Sequence, residues 1–84
     1  MKPVEIYTTH TCPYCIAANR LLLKKGVQFK EIDVGGQPQL RAAMTQRAGG
    51  RTSVPQIFIA GKHVGGCDDI HALDHAGQLD SMLA

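Results

Sequence analysis

Thr11-Cys12-Pro13-Tyr14-Cys15-Ile16-Ala17-Ala18-Asn19-Arg20-Leu21-Leu22-Leu23-Lys24-Lys25-Gly26 is the stretch on which the reading of this 84-residue chain turns. From Pro13 to Lys25 there is no internal glycine. Ile16 to Ala18 and Leu21 to Leu23 supply an apolar face, and Asn19, Arg20, Lys24 and Lys25 a polar one, the pattern of an amphipathic helix. Pro13 does no harm at the first helical position, where its missing N–H would be unpaired anyway, and Gly26 suits a left-handed C-terminal cap. Thr11 or Cys12 then caps the start, which places Cys12 at a helix N-terminus and Cys15 one turn inside.

Working outward, Val4, Ile6, Tyr7 and Thr8 form a β-favouring run that ends in the polar loop Thr9-His10-Thr11. Beyond the helix, Val27, Phe29, Ile32 and Val34 predict a second strand closed by Gly35-Gly36. Pro38 opens a helix whose apolar positions are Leu40, Ala43, Met44 and Ala48, ended by Gly49-Gly50. Val54-Pro55 precedes the strand Ile57-Phe58-Ile59, Ala60-Gly61 reads as a hairpin turn, and Lys62-His63-Val64 returns. Ile70, Leu73, Ala76, Leu79, Met82 and Leu83 supply one or two final helical segments. The order is βαβαββα. A helix between the first two strands implies a parallel, right-handed crossover, whereas a two-residue turn implies an antiparallel pair. The chain is therefore expected to be a single α/β domain over residues 1–84, with a four-stranded mixed sheet flanked by helices on both faces.

Composition narrows the function. With 44% apolar and 19% charged residues and no repeat, the chain reads as globular, with a thin core. Met1 to Ile6 carries no apolar run suited to a signal peptide or a membrane span, so a cytoplasmic, membrane-free protein is expected, acting as a monomer. The formal charge of +2 is spread over scattered lysines and arginines without interleaved aromatics, which argues against nucleic acid as a partner. Three cysteines do not make a closed set of disulfide staples, and in a reducing compartment they read as chemistry first.

Cys12-Pro13-Tyr14-Cys15 suits redox chemistry. A three-residue offset at a helix start lets two sulfurs close a small disulfide ring with modest backbone movement. The first sulfur faces the free N–H groups and the positive end of the helix dipole, which favour its anion. Stabilising that anion also lowers its intrinsic nucleophilicity, so attack by Cys12 gains less than its release from a mixed disulfide does. The setting favours turnover through a mixed disulfide. The competing reading is half of a zinc site, with Cys67 and His10 or His63 completing the ligands, but no second C-x-x-C pair is present and no metal is expected.

Together with Ser53-Val54-Pro55 and Gly65-Gly66-Cys67-Asp68-Asp69, the dithiol motif resembles the glutaredoxin family, specifically its small bacterial dithiol members, over essentially the whole chain. The resemblance implies a thioredoxin-like fold with Pro55 in the cis form opposite the dithiol. It implies a glutathione-dependent thiol–disulfide oxidoreductase that reduces protein–glutathione mixed disulfides and protein disulfides, with Cys12 attacking and Cys15 resolving. Glutathione is then the co-substrate, no cofactor is tightly bound, and the partners are glutathionylated or disulfide-bonded proteins. The implied glutathione site comprises Tyr14 as an apolar platform, the Val54 backbone beside Pro55, the Ser53 hydroxyl, and the helix start after Gly66. There the N–H groups of Cys67 and Asp68 hold a carboxylate and Asp68 accepts from the ammonium. Where the family usually has a lysine three residues before the first cysteine, this sequence has Thr9, so the glycine carboxylate is assigned to Arg41, with His10 or Arg51 as other sources of charge. Cys67 reads as a small buried residue or an additional regulatory thiol. His63, His71 and His75 read as structural or solvated. A rival within the family is a [2Fe–2S] carrier, against which Pro13 argues.

Overall fold

In the computed structural model, which describes residues 1–84, β1 (Val4–Thr8) leads into α1 (Pro13–Lys24), β2 (Phe29–Asp33) and α2 (Pro38–Arg47). There follow β3 (Gln56–Ile59), β4 (Lys62–Gly65), α3 (Cys67–His75) and α4 (Leu79–Leu83). The sheet order is β2-β1-β3-β4. β1 runs parallel to β2, with Val4 opposite Phe29, and antiparallel to β3, with Ile6 opposite Ile57. β3 and β4 form the antiparallel hairpin around Ala60-Gly61, and a bulge falls between Ile57 and Phe58. The expected mixed sheet is thus present, with its last helical stretch in two pieces separated at Gly77.

Side chains alternate across the two central strands and split the core. Val4, Ile6, Ile57 and Ile59 point to one face, where they pack with Ala18, Leu22, Ile70 and Leu79 from α1, α3 and α4. Tyr7 and Phe58 point to the other face, where Met44 and Ala48 close over them and Arg47 stacks its guanidinium 4.0 Å from the Phe58 ring. Both faces are covered, so β3 is buried along its whole length, as expected of a strand between helical layers.

Two helix faces differ from the sequence expectation. In α1 the buried side is Cys15, Ala18, Leu21 and Leu22, whereas Ile16 and Leu23 lie 48% and 66% exposed. The run of three leucines spans about 200° of helix circumference, more than one sheet can cover. In α2 only Met44 within the helix is fully buried, and Leu40 and Ala43 reach solvent. α2 meets the sheet through its C-terminal half, so one turn earlier there is no partner for Leu40. At the other end of α1, Lys25 pairs with Asp74 at 2.5 Å and Asp80 at 2.9 Å, tying this helix to α3 and α4. No helix is long and apolar enough to cross a membrane.

Candidate active site

Cys12 is the N-cap residue of α1, in extended conformation, and its carbonyl accepts the first helical hydrogen bonds from the N–H groups of Cys15 and Ile16. Its side chain makes no capping bond. Instead the Cys12 thiol points across to the loop before β3 and donates to the Val54 carbonyl oxygen at 3.8 Å. Cys15, three residues on, is 2% exposed. Burial pushes its thiol up to about 12, against a backbone hydrogen bond with Thr9 that opposes the shift and with the neighbouring Cys12 and Glu31 reinforcing it. One sulfur is therefore presented and the other held back. All three cysteines are free thiols.

The loop facing the dithiol is shaped by a residue the sequence did not flag. The Val54–Pro55 peptide is cis, and the next residue, Gln56, is fully buried in an otherwise apolar strand. Its Nε2 donates to the Ser53 carbonyl at 2.9 Å and to the Ser53 hydroxyl at 3.2 Å, while His63 Nε2 donates to its Oε1 at 2.7 Å. Gln56 thus has its polar atoms satisfied and holds Ser53 and Val54 in place. A single glutamine inside the run Gln-Ile-Phe-Ile was the signal that could have revealed this role. His63 is structural, as expected, and packs 5.1 Å from the Phe58 ring centre.

The third wall is the start of α3. Asp69 accepts the Gly66 N–H at 2.7 Å, which occupies that donor and leaves the Cys67 and Asp68 N–H groups without intrahelical partners. This bond, and after it the Arg51 guanidinium, hold the Asp69 carboxyl below the usual range against the opposing effect of burial. Gly65 has φ +129, and a Cβ there would collide with the Asp69 carboxylate; at Gly66 a Cβ would lie 3.1 Å from the Pro55 carbonyl oxygen. The glycine pair is what lets the helix start approach Pro55 closely.

These walls enclose an open groove of about 190 Å³ lined by Tyr14, Arg51, Ser53 to Pro55, and Gly66 to Asp69. That is small for a pocket that engulfs a ligand, and suits an extended peptide laid along it. Of the residues singled out from sequence, Tyr14, Ser53, Val54, Pro55, Gly66, Cys67 and Asp68 meet here, with the Cys12 sulfur at the Val54 edge. Arg41 does not line the groove. Its Nη2 donates to the Thr52 carbonyl at 2.9 Å and braces the loop there. The groove's cation is Arg51, whose Nη1 bonds Asp69 at 3.1 Å and whose guanidinium overhangs Gly66. The double glycine before Arg51 makes the register of α2 against this loop unreadable from sequence. His10 pairs with Asp33 at 2.6 Å outside the groove. Cys67 is buried, its thiol raised by burial, the Asp68 charge and Cys12, and its sulfur is 3.4 Å from His71 Nδ1. No three His, Cys, Asp or Glu side chains are gathered around one point.

A family model described as Glutaredoxin matches residues 4–64, and the Glutaredoxin of Pseudomonas aeruginosa is 58% identical over 84 residues, covering 100% of this chain and 99% of that protein. The chain belongs to the glutaredoxin family. Among solved structures, the glutaredoxin from Brucella melitensis superposes with a TM-score of 0.86 at 54% identity, covering 99% of this chain and 89% of that one. A buckwheat glutaredoxin–glutathione complex superposes with a TM-score of 0.89 at 30% identity, covering 98% and 76%. The sheet and helices described above are thus the thioredoxin-like fold of glutaredoxins. Glutaredoxins are thiol–disulfide oxidoreductases, and this is the general activity of the chain. Glutathione is a substrate of the family.

Proposed function

We propose that the chain is a dithiol glutathione–disulfide oxidoreductase that reduces protein–glutathione mixed disulfides and protein disulfides. The observation that carries the reading is the contrast within the C-x-x-C pair. The Cys12 sulfur stands at the Val54 edge of a peptide-sized groove, whereas Cys15 is buried and does not line it.

Glutathione lies along the groove in this reading, its cysteinyl backbone against the extended Val54 main chain beside Pro55. Its γ-glutamyl carboxylate meets the free N–H groups of Cys67 and Asp68 at the start of α3, Asp68 accepts from the ammonium, and Ser53 and Tyr14 line the approach. Arg51 supplies the cationic partner, and Arg41 acts through the loop it braces.

Cys12 thiolate attacks the glutathione sulfur of a mixed disulfide; the new Cys12–glutathione bond forms as the old bond breaks, and the electron pair leaves on the protein sulfur. A second glutathione thiolate then attacks that glutathione sulfur, which frees Cys12 and yields glutathione disulfide. With a protein disulfide, Cys12 attacks one sulfur, Cys15 displaces the substrate from Cys12, and two glutathiones reduce the resulting Cys12–Cys15 bond. No tightly bound cofactor takes part in these steps.

A coupled glutathione-dependent assay on both substrate types tests the assignment. Cys12→Ser is expected to abolish both reactions, and Cys15→Ser to retain deglutathionylation while losing protein-disulfide reduction. Equal loss from the two variants would contradict the roles given.

A further inference from the structure

Cys15 also borders a second cleft, of about 260 Å³, that shares no residue with the groove. Its polar lining includes Thr8, Asn19, Glu31, His10 and Asp33. Glu31 stands on β2 opposite Ile6, the β1 residue that faces α1. One of its oxygens, Oε2, accepts both the Thr8 hydroxyl at 2.9 Å and the Asn19 amide at 3.1 Å, and no side chain donates to the other. Asn19 lies one turn after Cys15 on α1, and its Oδ1 is buried without a hydrogen-bond partner. A buried acceptor left unpaired is rare, and here the amide is oriented by its bond to Glu31 at the expense of its own carbonyl.

The dithiol mechanism leaves one proton without a destination. Before Cys15 can attack, its Sγ–H must ionise, yet burial raises that thiol above its ordinary value. The titratable groups facing it are few. Cys12 is tied up in the mixed disulfide at that stage, and His10 and Asp33 are paired with each other at 2.6 Å. Glu31 is the remaining one, and it lines the same cleft as Cys15.

We infer that the Glu31 carboxylate, held across the cleft by Thr8 and Asn19, accepts the proton of Cys15 as Cys15 attacks the Cys12 mixed disulfide. The inference rests on the dithiol reading proposed above. The proton passes to Glu31 through solvent in the open cleft, the Cys15 sulfur bonds to the Cys12 sulfur, and the bond from Cys12 to the substrate breaks. The electron pair leaves on the substrate sulfur, which takes up a proton from solvent as Glu31 releases its own. The two cysteines lose the two electrons that reduce the substrate, and are left as the Cys12–Cys15 disulfide.

Reduced protein mixed with one molar equivalent of dithiobis-nitrobenzoate separates the steps. A first release of coloured thiolate reports attack by Cys12, and a second reports displacement by Cys15. At pH 7, Glu31→Gln is expected to slow the second release about tenfold and to leave the first within about twofold, less than the effect of a fully buried general base because solvent competes. From about pH 6 to about pH 8 the second rate of the wild type should stay nearly flat, whereas in Glu31→Gln it should climb with hydroxide, about tenfold per pH unit. Glu31→Asp should restore most of the flat profile. Equal second rates with parallel pH profiles in wild type and Glu31→Gln, or a joint fall of both releases, would overturn the role of Glu31. Absence of a second release from the wild type would instead remove the dithiol reading beneath it.

Discussion

The Cys12 sulfur and the Val54 carbonyl oxygen stand 3.8 Å apart, although 42 residues separate them in the chain. That contact joins the N-terminus of α1 to the loop before β3, and the start of α3 closes the same groove from the third side. The thiol presented there belongs to a helix end, and the backbone opposite it is already extended for a peptide.

Burial should make the two thiols of the pair chemically distinct. Cys15, with its thiol pushed up to about 12, holds on the order of a thousandfold less thiolate at neutral pH than an ordinary cysteine. Brief treatment with iodoacetamide at pH 7 is expected to label Cys12 and spare Cys15, as read by peptide mass spectrometry. In urea all three cysteines should react at similar rates. Comparable labelling of Cys12 and Cys15 in the folded protein would refute the contrast.

Arg51 rather than Arg41 should govern glutathione affinity. Arg51→Gln is expected to raise KM for a glutathionylated substrate about fivefold, near 1 kcal/mol, with kcat within about twofold, the signature of lost ground-state binding. Arg41→Gln should change KM by less than about twofold. Because the Arg51–Asp69 pair is nearly half exposed on both sides, its loss should lower stability by no more than about 0.5 kcal/mol. Steady-state kinetics with urea unfolding as a control would show the reverse ranking if the assignment is wrong.

At Gly65 a side chain meets both an unfavourable backbone and a collision. Gly65→Ala combines φ +129 with a Cβ against the Asp69 carboxylate, and should destabilise the fold by about 2–3 kcal/mol. That corresponds to a fall in Tm of about 10 °C or more for a domain of this size. Gly26→Ala, at φ +71 with nothing within 4 Å, should lose only about 1 kcal/mol. Thermal melts followed by circular dichroism decide whether the collision adds to the backbone term.

Asp69 links stability to acid. Its carboxyl is held below the usual range chiefly by the Gly66 N–H, so the folded state favours the charged form. That stabilisation is complete above the unfolded-state value of about 3.9 and is lost as pH falls through the lower folded-state value. Asp69→Ala should be about 1 kcal/mol less stable than wild type at pH 7, the usual worth of a cap. The gap should narrow steadily below about pH 4. Urea midpoints measured at both ends of the range would expose an error as a gap that persists or widens in acid.

What the order of residues alone makes legible is local. Pro13 and Gly26 bracket α1 because each acts on its own backbone position, the β-favouring runs Val4 to Thr8 and Ile57 to Ile59 make strands, and Ala60-Gly61 turns a hairpin. These are effects of a residue on its near neighbours, and order along the chain is enough to state them.

The groove is different, because it is assembled from α1, the Ser53–Pro55 loop and the start of α3, each blind to the others in sequence. Which of two arginines reaches it depends on how the chain leaves α2 through Gly49-Gly50, and which leucines of α1 are covered depends on the width of the sheet below. By itself the sequence determined the succession of elements and the dithiol at a helix start, since backbone propensity and spacing act over a few residues. Only the tertiary structure decided that Arg51 faces the groove, that Gln56 is buried to hold Ser53, and that Cys15 looks into a separate cleft with Glu31. Those outcomes depend on side-chain direction and long-range packing, which no local pattern records.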